Sequence, residues 1–134
     1  MADTEAVLFA NEAFYQAFAD RDPEAMDALW SRAAPVCCIH PGWAPIFGRD
    51  EVMASWAAIL GDAAAPDIGC SGARAHVLGG AAFVVCYESL GGGYLTATNV
   101  FVREGTVWKL VHHQAGPVPT PPPEQDANPE QSLH

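Results

Sequence analysis

Residues 81–114 decide the fold of this chain, and they read AAFVVCYESL (81–90), GGG (91–93), YLTATNVFVR (94–103), EGT (104–106) and VWKLVHHQ (107–114). The two ten-residue runs are rich in the β-branched and aromatic side chains that favour strands. The three glycines join these runs as a hairpin, since glycine readily adopts the backbone angles of a tight turn. Glu104-Gly105-Thr106 makes a second turn into Val107–Gln114. The stretch therefore predicts three consecutive antiparallel strands, and the strand-like pattern already begins at Ile68.

The segment before these strands has helical spacing instead, with apolar residues three or four positions apart. A first helix is predicted to begin at a capping Asp3 or Thr4 and to run to about Ala19. A second helix opens at Asp22, a good capping residue that is followed by a proline. A third helix is predicted to begin at a capping Asp50. A short β-rich run lies between the second and third helices.

Three helices followed by long strands predict an α+β fold, in which the helices pack on one face of a curved antiparallel sheet. Both sides of Ala81–Cys86 are apolar, so the outer face of the sheet also needs a cover. A second copy of the chain is the simplest cover, and we expect a homodimer through the outer sheet face. Residues 119–134 are rich in proline and polar side chains. They predict an extended or disordered tail beyond a domain of residues 1–118.

Composition limits the possible functions. The 134 residues suit one domain, and half of them are apolar, which is enough for a core. The net charge of −10 repels phosphate backbones and argues against a nucleic-acid partner. No apolar run approaches the ~20 residues of a membrane helix, and no signal peptide is visible, so a cytoplasmic location is expected. The four cysteines lack CxxC spacing and are interpreted as small buried apolar residues rather than as disulfides or metal ligands.

Five short motifs resemble one family group in their order and spacing: His40-Pro41-Gly42-Trp43, Phe47-Gly48-Arg49, Ser55-Trp56, Ala97-Thr98-Asn99-Val100-Phe101 and Trp108-Lys109-Leu110-Val111-His112-His113. Over about residues 5–118, the chain is similar to the SnoaL-like branch of the nuclear transport factor 2-like superfamily. The resemblance implies a cone-shaped domain with a pocket between helices and sheet. It identifies no reaction, because the superfamily includes isomerases, cyclases, hydrolases and non-catalytic assembly domains. The last two strands are also similar to the association domain of calcium/calmodulin-dependent kinases, which is a non-catalytic oligomeriser.

Ketosteroid isomerases belong to the same superfamily, so the resemblance allows their catalytic positions to be compared with this chain. Their general-base aspartate aligns with His40. Their oxyanion-hole tyrosine aligns with Phe14, beside Tyr15, and their second oxyanion donor, an aspartic acid, aligns with Ala97. Without these two donors a developing oxyanion has no stabilising partner, and that stabilisation is usually the largest catalytic effect. Steroid isomerisation is therefore disfavoured.

The same alignment predicts which strand residues face the pocket. It places Asn99 inward, together with every second residue of its strand. In the last strand it predicts that His112 and Gln114 face inward and that His113 faces outward. A slip of one residue would reverse this assignment.

His40 is the candidate catalytic residue, as a general base whose ordinary pKa lies near neutrality. Its alternative role is to hold the Pro41-Gly42 turn by a hydrogen bond. The candidate ligand-binding residues combine aromatic walls with hydrogen-bonding groups, and they are Tyr15, Trp43, Trp56, Asn99, His112 and Gln114. Each has a structural alternative, as a core aromatic, a buried amide or a hydrogen-bonded core histidine. The predicted site requires His40 and His112 to lie on the same side of the sheet.

Two further points concern the same pocket. The hairpin register leaves open whether Tyr87 or Glu88 faces inward. No metal is predicted, because His40 and His112 are only two ligands and a catalytic zinc uses three protein ligands. The sequence also has no glycine-rich phosphate loop, no GxSxG motif and no evident Cys–His nucleophile pair, so no cofactor is expected.

These patterns predict a domain that binds a small, mostly apolar molecule in its pocket. If it is an enzyme, the expected chemistry is cofactor-free acid–base catalysis of the isomerase or cyclase type. The alternative is a non-catalytic dimerisation or ligand-binding module. An enzyme needs a solvent-reachable cavity with converging polar groups, whereas a module allows a filled interior and an extended contact through the sheet.

Overall fold

The computed structural model describes residues 2–123. The helices are α1 (Asp3–Ala19), α2 (Pro23–Leu29) and α3 (Arg49–Leu60), and two short strands, β1 (Cys37–Ile39) and β2 (Ile46–Phe47), lie between α2 and α3. Four long strands follow: β3 (Gly69–Leu78), β4 (Ala81–Leu90), β5 (Gly93–Glu104) and β6 (Val107–Val118). The predicted α+β architecture, with three helices before a meander, is confirmed.

The strands form one curved six-stranded sheet in the order β2-β1-β6-β5-β4-β3. All neighbours pair antiparallel except β1 and β6, which run parallel. The sheet is therefore mixed rather than wholly antiparallel as predicted. The chain passes through β2, α3 and the other long strands before β6 returns beside β1, and such a long crossover is what a parallel pair requires.

Side chains on the inner face of the sheet alternate along each strand and meet the helices in one core. Ala82, Val84 and Cys86 on β4 are buried in this way. From the helical layer, Phe14 and Trp56 reach the same core, where their rings meet edge to face at 5.4 Å. The core thus lies between the helices and the sheet, and any interior site must share that space.

A bulge in β6 decides which histidine enters the core. The β5–β6 register shifts at Val111, which has no partner on β5. One extra residue reverses the inward and outward alternation beyond it. As a result His113 is buried, with 3% exposure, whereas His112 lies on the outer side and Gln114 is exposed. The predictions that His112 and Gln114 face inward and that His113 faces outward are therefore wrong.

The starts of the helices agree with the predictions in one case of three. Asp22 caps α2 by accepting two backbone N–H groups at 3.1 Å. Asp50 lies inside the first turn of α3, and Gly48 occupies the cap position with a φ of 89° that a side chain would strain. Helix α1 already begins at Asp3 without a side-chain cap, so neither Asp3 nor Thr4 has the predicted role.

Strand β6 continues four residues beyond its predicted end at Gln114, because residues as far as Val118 still pair with β5. The predicted tail falls largely on residues 124–134, which lie outside the described residues, and it stays a prediction. Within residues 2–123, no helix is both long and apolar enough to cross a membrane.

Candidate functional site

A groove of about 850 Å³ opens between α1 and β3. Apolar walls come from α1, where Phe9 is 66% exposed, and the polar residues at the groove include Asn11, Tyr15 and Cys70. Strand β3 carries a bulge beside the groove, at Gly72 with a φ of 64°. An extra residue bends a strand locally. The bulged segment of β3 therefore forms one wall of a space large enough for a small organic molecule.

A buried hydrogen-bond network starts at the residues that line this groove. The Tyr15 hydroxyl donates to Glu88 Oε2 at 2.6 Å and accepts from Asn99 Nδ2 at 3.2 Å. The same Asn99 amide donates to Asn11 Oδ1 at 2.8 Å. Helical spacing brings Asn11 and Tyr15, four residues apart, to one face of α1. The groove therefore has a polar floor that is built from α1, β4 and β5.

Glu88 enters this network because of the hairpin register that the sequence left open. Leu90 pairs with Gly93, so the turn contains only Gly91 and Gly92, both with positive φ. This register places Glu88 inside, at 2% exposure, and Tyr87 outside. Burial raises the pKa of the Glu88 carboxyl, although the hydrogen bond from Tyr15 partly opposes the shift.

No ion pair between residues 2–123 involves Glu88. The shift favours the neutral carboxyl form over the carboxylate, relative to an exposed glutamate. Tyr15 in turn has its pKa raised by burial and by the neighbouring Glu88, so its phenol stays protonated. The pair therefore combines a protonated phenol with a carboxyl group whose pKa is raised, both in a low-dielectric environment.

Asn99 connects this pair to the buried histidine. His113 Nδ1 lies 2.5 Å from Asn99 Oδ1, and an amide oxygen can only accept, so Nδ1 carries the proton. Burial, followed by the proximity of His40, lowers the pKa of His113 to about 3. His113 is therefore a neutral imidazole that fixes the orientation of the Asn99 amide.

His40 occupies a separate corner of the interior. Its Nε2 lies 2.9 Å from Ser55 Oγ, and the Ser55 hydroxyl donates to the Val52 carbonyl at 2.7 Å. The imidazole is thereby the donor to Ser55, and its ring packs between Trp43 and Trp56 at 4.8 and 4.7 Å. Burial lowers the pKa of His40 to about 4, which makes it a weak base.

The Pro41-Gly42 turn is closed by the backbone, where the His40 carbonyl accepts from the Trp43 N–H at 2.9 Å, whereas the His40 imidazole bonds to Ser55 on α3. The catalytic role of His40 stays a prediction. The His40 and His113 ring centroids are 6.5 Å apart, so His113, rather than His112, lies near His40 in the interior. His112 lies on the other side of the sheet, and the predicted pairing of His40 with His112 is wrong.

The other predicted residues fall into three places. Tyr15 and Asn99 meet at the groove floor. Trp56 is buried, packs against His40 and does not line the groove. Its indole N–H has no hydrogen-bond partner among the described residues. Trp43 is 48% exposed beside His40, at the surface rather than at the groove.

Of the network residues, Asn11 was not predicted, Glu88 was left open against Tyr87, and His113 was predicted to face outward. A signal existed for the first two. Asn11 interrupts the apolar stripe of α1, and Glu88 continues the inward alternation of β4 from Ala82. For His113 the sequence contains no such signal, because no local pattern predicts the bulge at Val111. Within residues 2–123, no three His, Cys, Asp or Glu side chains converge as a metal site.

Comparisons with known proteins agree with this geometry. The model of the SnoaL-like domain family matches residues 7–121. A crystal structure from Streptomyces avermitilis, described as "a putative dehydratase from the NTF2-like family", is 36% identical, with a TM-score of 0.80 over 88% of this chain and 97% of that one. A "putative calcium/calmodulin-dependent protein kinase type II association domain" from Thiobacillus denitrificans is 33% identical, with a TM-score of 0.73 over 81% and 92% of the two chains.

An NTF2-like protein of unknown function from Pseudomonas putida KT2440 shares the fold at 20% identity, with a TM-score of 0.75 over 84% of each chain. No curated protein matches the chain. The family model spans most of the chain, from the first helix to just beyond the last strand, and two of the similar structures exceed 30% identity. The chain therefore belongs to the SnoaL-like family of the NTF2-like fold.

Proposed function

We propose that this protein binds a small, mostly apolar molecule in the groove between α1 and β3 and carries out cofactor-free acid–base chemistry on it. The observation that carries the proposal is Glu88, a carboxyl group at 2% exposure, hydrogen-bonded at 2.6 Å to the groove-lining Tyr15. Burying an ionisable group without an opposite charge costs stability, and such groups cluster at functional sites. A filled apolar core would not need this carboxyl.

The chemistry follows from the protonation states. The Tyr15 hydroxyl, which donates to Glu88 in the structure, turns its proton to a ligand oxygen, and the Glu88 carboxyl, whose pKa is raised by burial, supplies the proton that replaces it. The Asn11 amide supplies a further polar contact at the groove. This arrangement fits reactions in which an oxygen atom gains a proton, either as a developing enol or as a leaving hydroxyl.

Elimination of water is the first reaction to test, because the similar protein from Streptomyces avermitilis is described as a putative dehydratase. In that reaction a proton leaves the carbon beside a carbonyl, the hydroxyl on the next carbon is protonated, and the carbon–oxygen bond breaks to release water. In this proposal the Glu88–Tyr15 pair protonates the leaving hydroxyl, and the Glu88 carboxylate formed in that step takes up, through Tyr15, the proton that leaves the carbon, so the pair returns to its starting state. His40 takes no part in this step, since its imidazole is hydrogen-bonded to Ser55.

The test begins with native mass spectrometry of protein purified from its own host, which should show a small molecule bound to the folded chain. Replacing Ala73 in the groove wall by Phe should remove that molecule, because the larger ring fills the groove. Gln114→Ala is the matched control, since Gln114 is exposed on the opposite side, and it should retain the molecule. A wild-type protein without any bound molecule counts against the proposal.

Glu88→Gln separates binding from catalysis. Glutamine keeps the shape and can still accept the Tyr15 hydrogen bond, but it cannot release a proton at the pH of the assay. The variant should retain the molecule and lose its conversion. Full conversion by Glu88→Gln would refute the acid–base part and leave a binding protein.

A second candidate function is a non-catalytic dimerisation module, which the 33% identity to the association-domain protein favours. We propose in either case that two copies associate through the outer sheet face. That face presents apolar side chains on adjacent strands, including Phe83, Val85, Val100 and Val102. Val85 is 41% exposed, which is an unfavourable environment for valine in water.

Sedimentation at micromolar concentration should give twice the chain mass of 14.2 kDa. Val85→Lys should produce a monomer, because a lysine in an apolar contact must be desolvated. Ala57→Lys, on the exposed side of α3, is the control and should remain dimeric. A wild-type monomer would contradict the association.

A further inference from the structure

A cysteine and a histidine meet on the side of the sheet opposite to the groove network. Cys37 on β1 is the parallel-sheet neighbour of His112 on β6. The Cys37 Sγ atom lies 2.9 Å from His112 Nδ1, and both residues are half-buried. No Cys–His nucleophile pair was evident in the sequence, because the two residues are 75 positions apart and the bulge at Val111 turns His112 to this face.

The backbone fixes the role of the imidazole nitrogen. His112 Nδ1 also lies 3.2 Å from the Cys37 carbonyl oxygen, which can only accept a hydrogen bond. Nδ1 therefore carries a proton and points it at both the carbonyl and the sulfur. A thiolate accepts such a hydrogen bond far better than a neutral thiol does, because charge-assisted bonds are about twice as strong as neutral ones.

Among the described residues, the strand partners of the pair on β2 and β5 carry no charge. Phe47 of β2 lies opposite Cys37, and Val100 of β5 lies opposite His112. Gln114 follows on the same side of β6. Partial burial raises the pKa of the Cys37 thiol and opposes ionisation, while the Nδ1 proton of His112 favours it.

We propose that Cys37 is a nucleophilic thiol activated by His112, and that it forms covalent adducts with α,β-unsaturated carbonyl compounds. In this reaction the thiol proton passes through solvent to Nε2, the unprotonated nitrogen of the His112 imidazole, and Sγ, which is hydrogen-bonded by Nδ1, attacks the β carbon of the acceptor. A carbon–sulfur bond forms, and the electrons of the carbon–carbon double bond move toward the carbonyl as an enolate. The imidazolium then returns its proton to the enolate carbon, which leaves a thioether and a neutral His112.

Acrylamide, a small α,β-unsaturated amide, is the probe. Labelling of each cysteine is followed by mass spectrometry of peptides as a function of pH. In the wild type, Cys37 should already react at pH 6, because the hydrogen bond from His112 Nδ1 stabilises the thiolate. In His112→Gln the pH profile should move to or above the ordinary thiol pKa of about 8.5, because partial burial alone raises the pKa of Cys37. The rate at pH 6 should fall about tenfold, since the thiolate fraction falls more than its nucleophilicity rises.

The chain contains its own controls. Cys70 is exposed and contacts Asn11 and Cys86 rather than an imidazole, so its labelling should be the same in wild type and His112→Gln. Cys86 is buried and should label only if the variant unfolds. Thiolate absorbance should decrease in Cys37→Ser at pH 6 and should not change in Cys70→Ser.

Two results would overturn the proposal. One is an unchanged Cys37 profile in folded His112→Gln. The other is a wild-type Cys37 that stays unlabelled, or that has a midpoint at or above about 8.5. The second result decides the question even if His112→Gln does not fold, and it also covers the case in which a partner copy shields Cys37.

Discussion

Replacing Asn99 by Ala should destabilise the protein strongly, because its side chain lies at the centre of the buried network. The amide accepts from His113 Nδ1 at 2.5 Å and donates to Asn11 Oδ1 at 2.8 Å, and Asn99 has no exposed surface. The substitution leaves these two partners buried and unpaired. Each such group costs about 1–3 kcal/mol, so the free energy of unfolding should fall by about 2–6 kcal/mol. Tyr15 keeps its bond to Glu88 and adds little to this loss.

Urea unfolding followed by tryptophan fluorescence measures this loss directly. The control is Gln114→Ala, which removes a similar amide from an exposed position and should change the free energy of unfolding by no more than about 0.5 kcal/mol. In Asn99→Ala, water that enters the space left by the side chain would pair with His113 and Asn11 and reduce the loss. Asn99→Leu tests this, because leucine fills the space without offering a hydrogen-bond partner. The reasoning is refuted if Asn99→Ala costs less than about 1 kcal/mol, or if Gln114→Ala costs as much as Asn99→Ala.

Three further predictions follow from the described structure. The free energy of unfolding should decrease as the pH falls from about 6.5 towards 4, because the unfolded chain protonates both histidines near 6.5. In the folded chain the two imidazoles become protonated only at lower pH, because their pKa values are about 4 for His40 and about 3 for His113. Each histidine should lower the free energy of unfolding by up to about 1.4 kcal/mol per pH unit, as measured by urea unfolding at a series of pH values. The raised pKa of Glu88 offsets part of this loss. A free energy of unfolding that does not change with pH would contradict the neutral imidazoles. Asp22→Ala should lower the free energy of unfolding by about 0.5–2 kcal/mol through the lost helix cap, whereas Asp50→Ala should lower it by less than about 0.5 kcal/mol. Equal losses would mean that Asp50 also acts as a helix cap. Gly48→Ala should cost about 1–3 kcal/mol because of its φ of 89°, and Gly116→Ala, with open space around its Cα and no positive φ, should cost much less in the same assay.

The order and type of the main elements could be predicted from the sequence because they depend on local patterns. Glycine-bounded β-branched runs gave β4 within its exact limits, Ala81–Leu90, and apolar spacing gave the three helices. Strand β2, with only two residues, offers no periodicity to read. The parallel pairing of β1 with β6 depends on where distant segments meet, and local patterns carry no information about that.

The candidate site was predicted less well, and the reason is the bulge at Val111. Predictions before the bulge, such as the inward position of Asn99, agree with the structure. Predictions after it, at His112 and Gln114, are reversed by the single extra residue. A bulge is stabilised by tertiary packing, here the fit of His113 beside Phe14 at 5.0 Å, and it leaves no local signature in the sequence.

The buried polar network of the interior is the strongest indication that these residues serve a purpose other than stabilising the fold. Glu88, Tyr15, Asn99, Asn11 and His113 satisfy one another, so they do not destabilise the core, but apolar side chains of similar size would fill it at no greater cost. Stability alone therefore does not explain why a carboxyl group lies at 2% exposure beneath a groove. The network also places its only carboxyl next to the groove and its imidazole at the far end. A purely structural network would have no need for that order, whereas a proton donor must be within reach of the ligand.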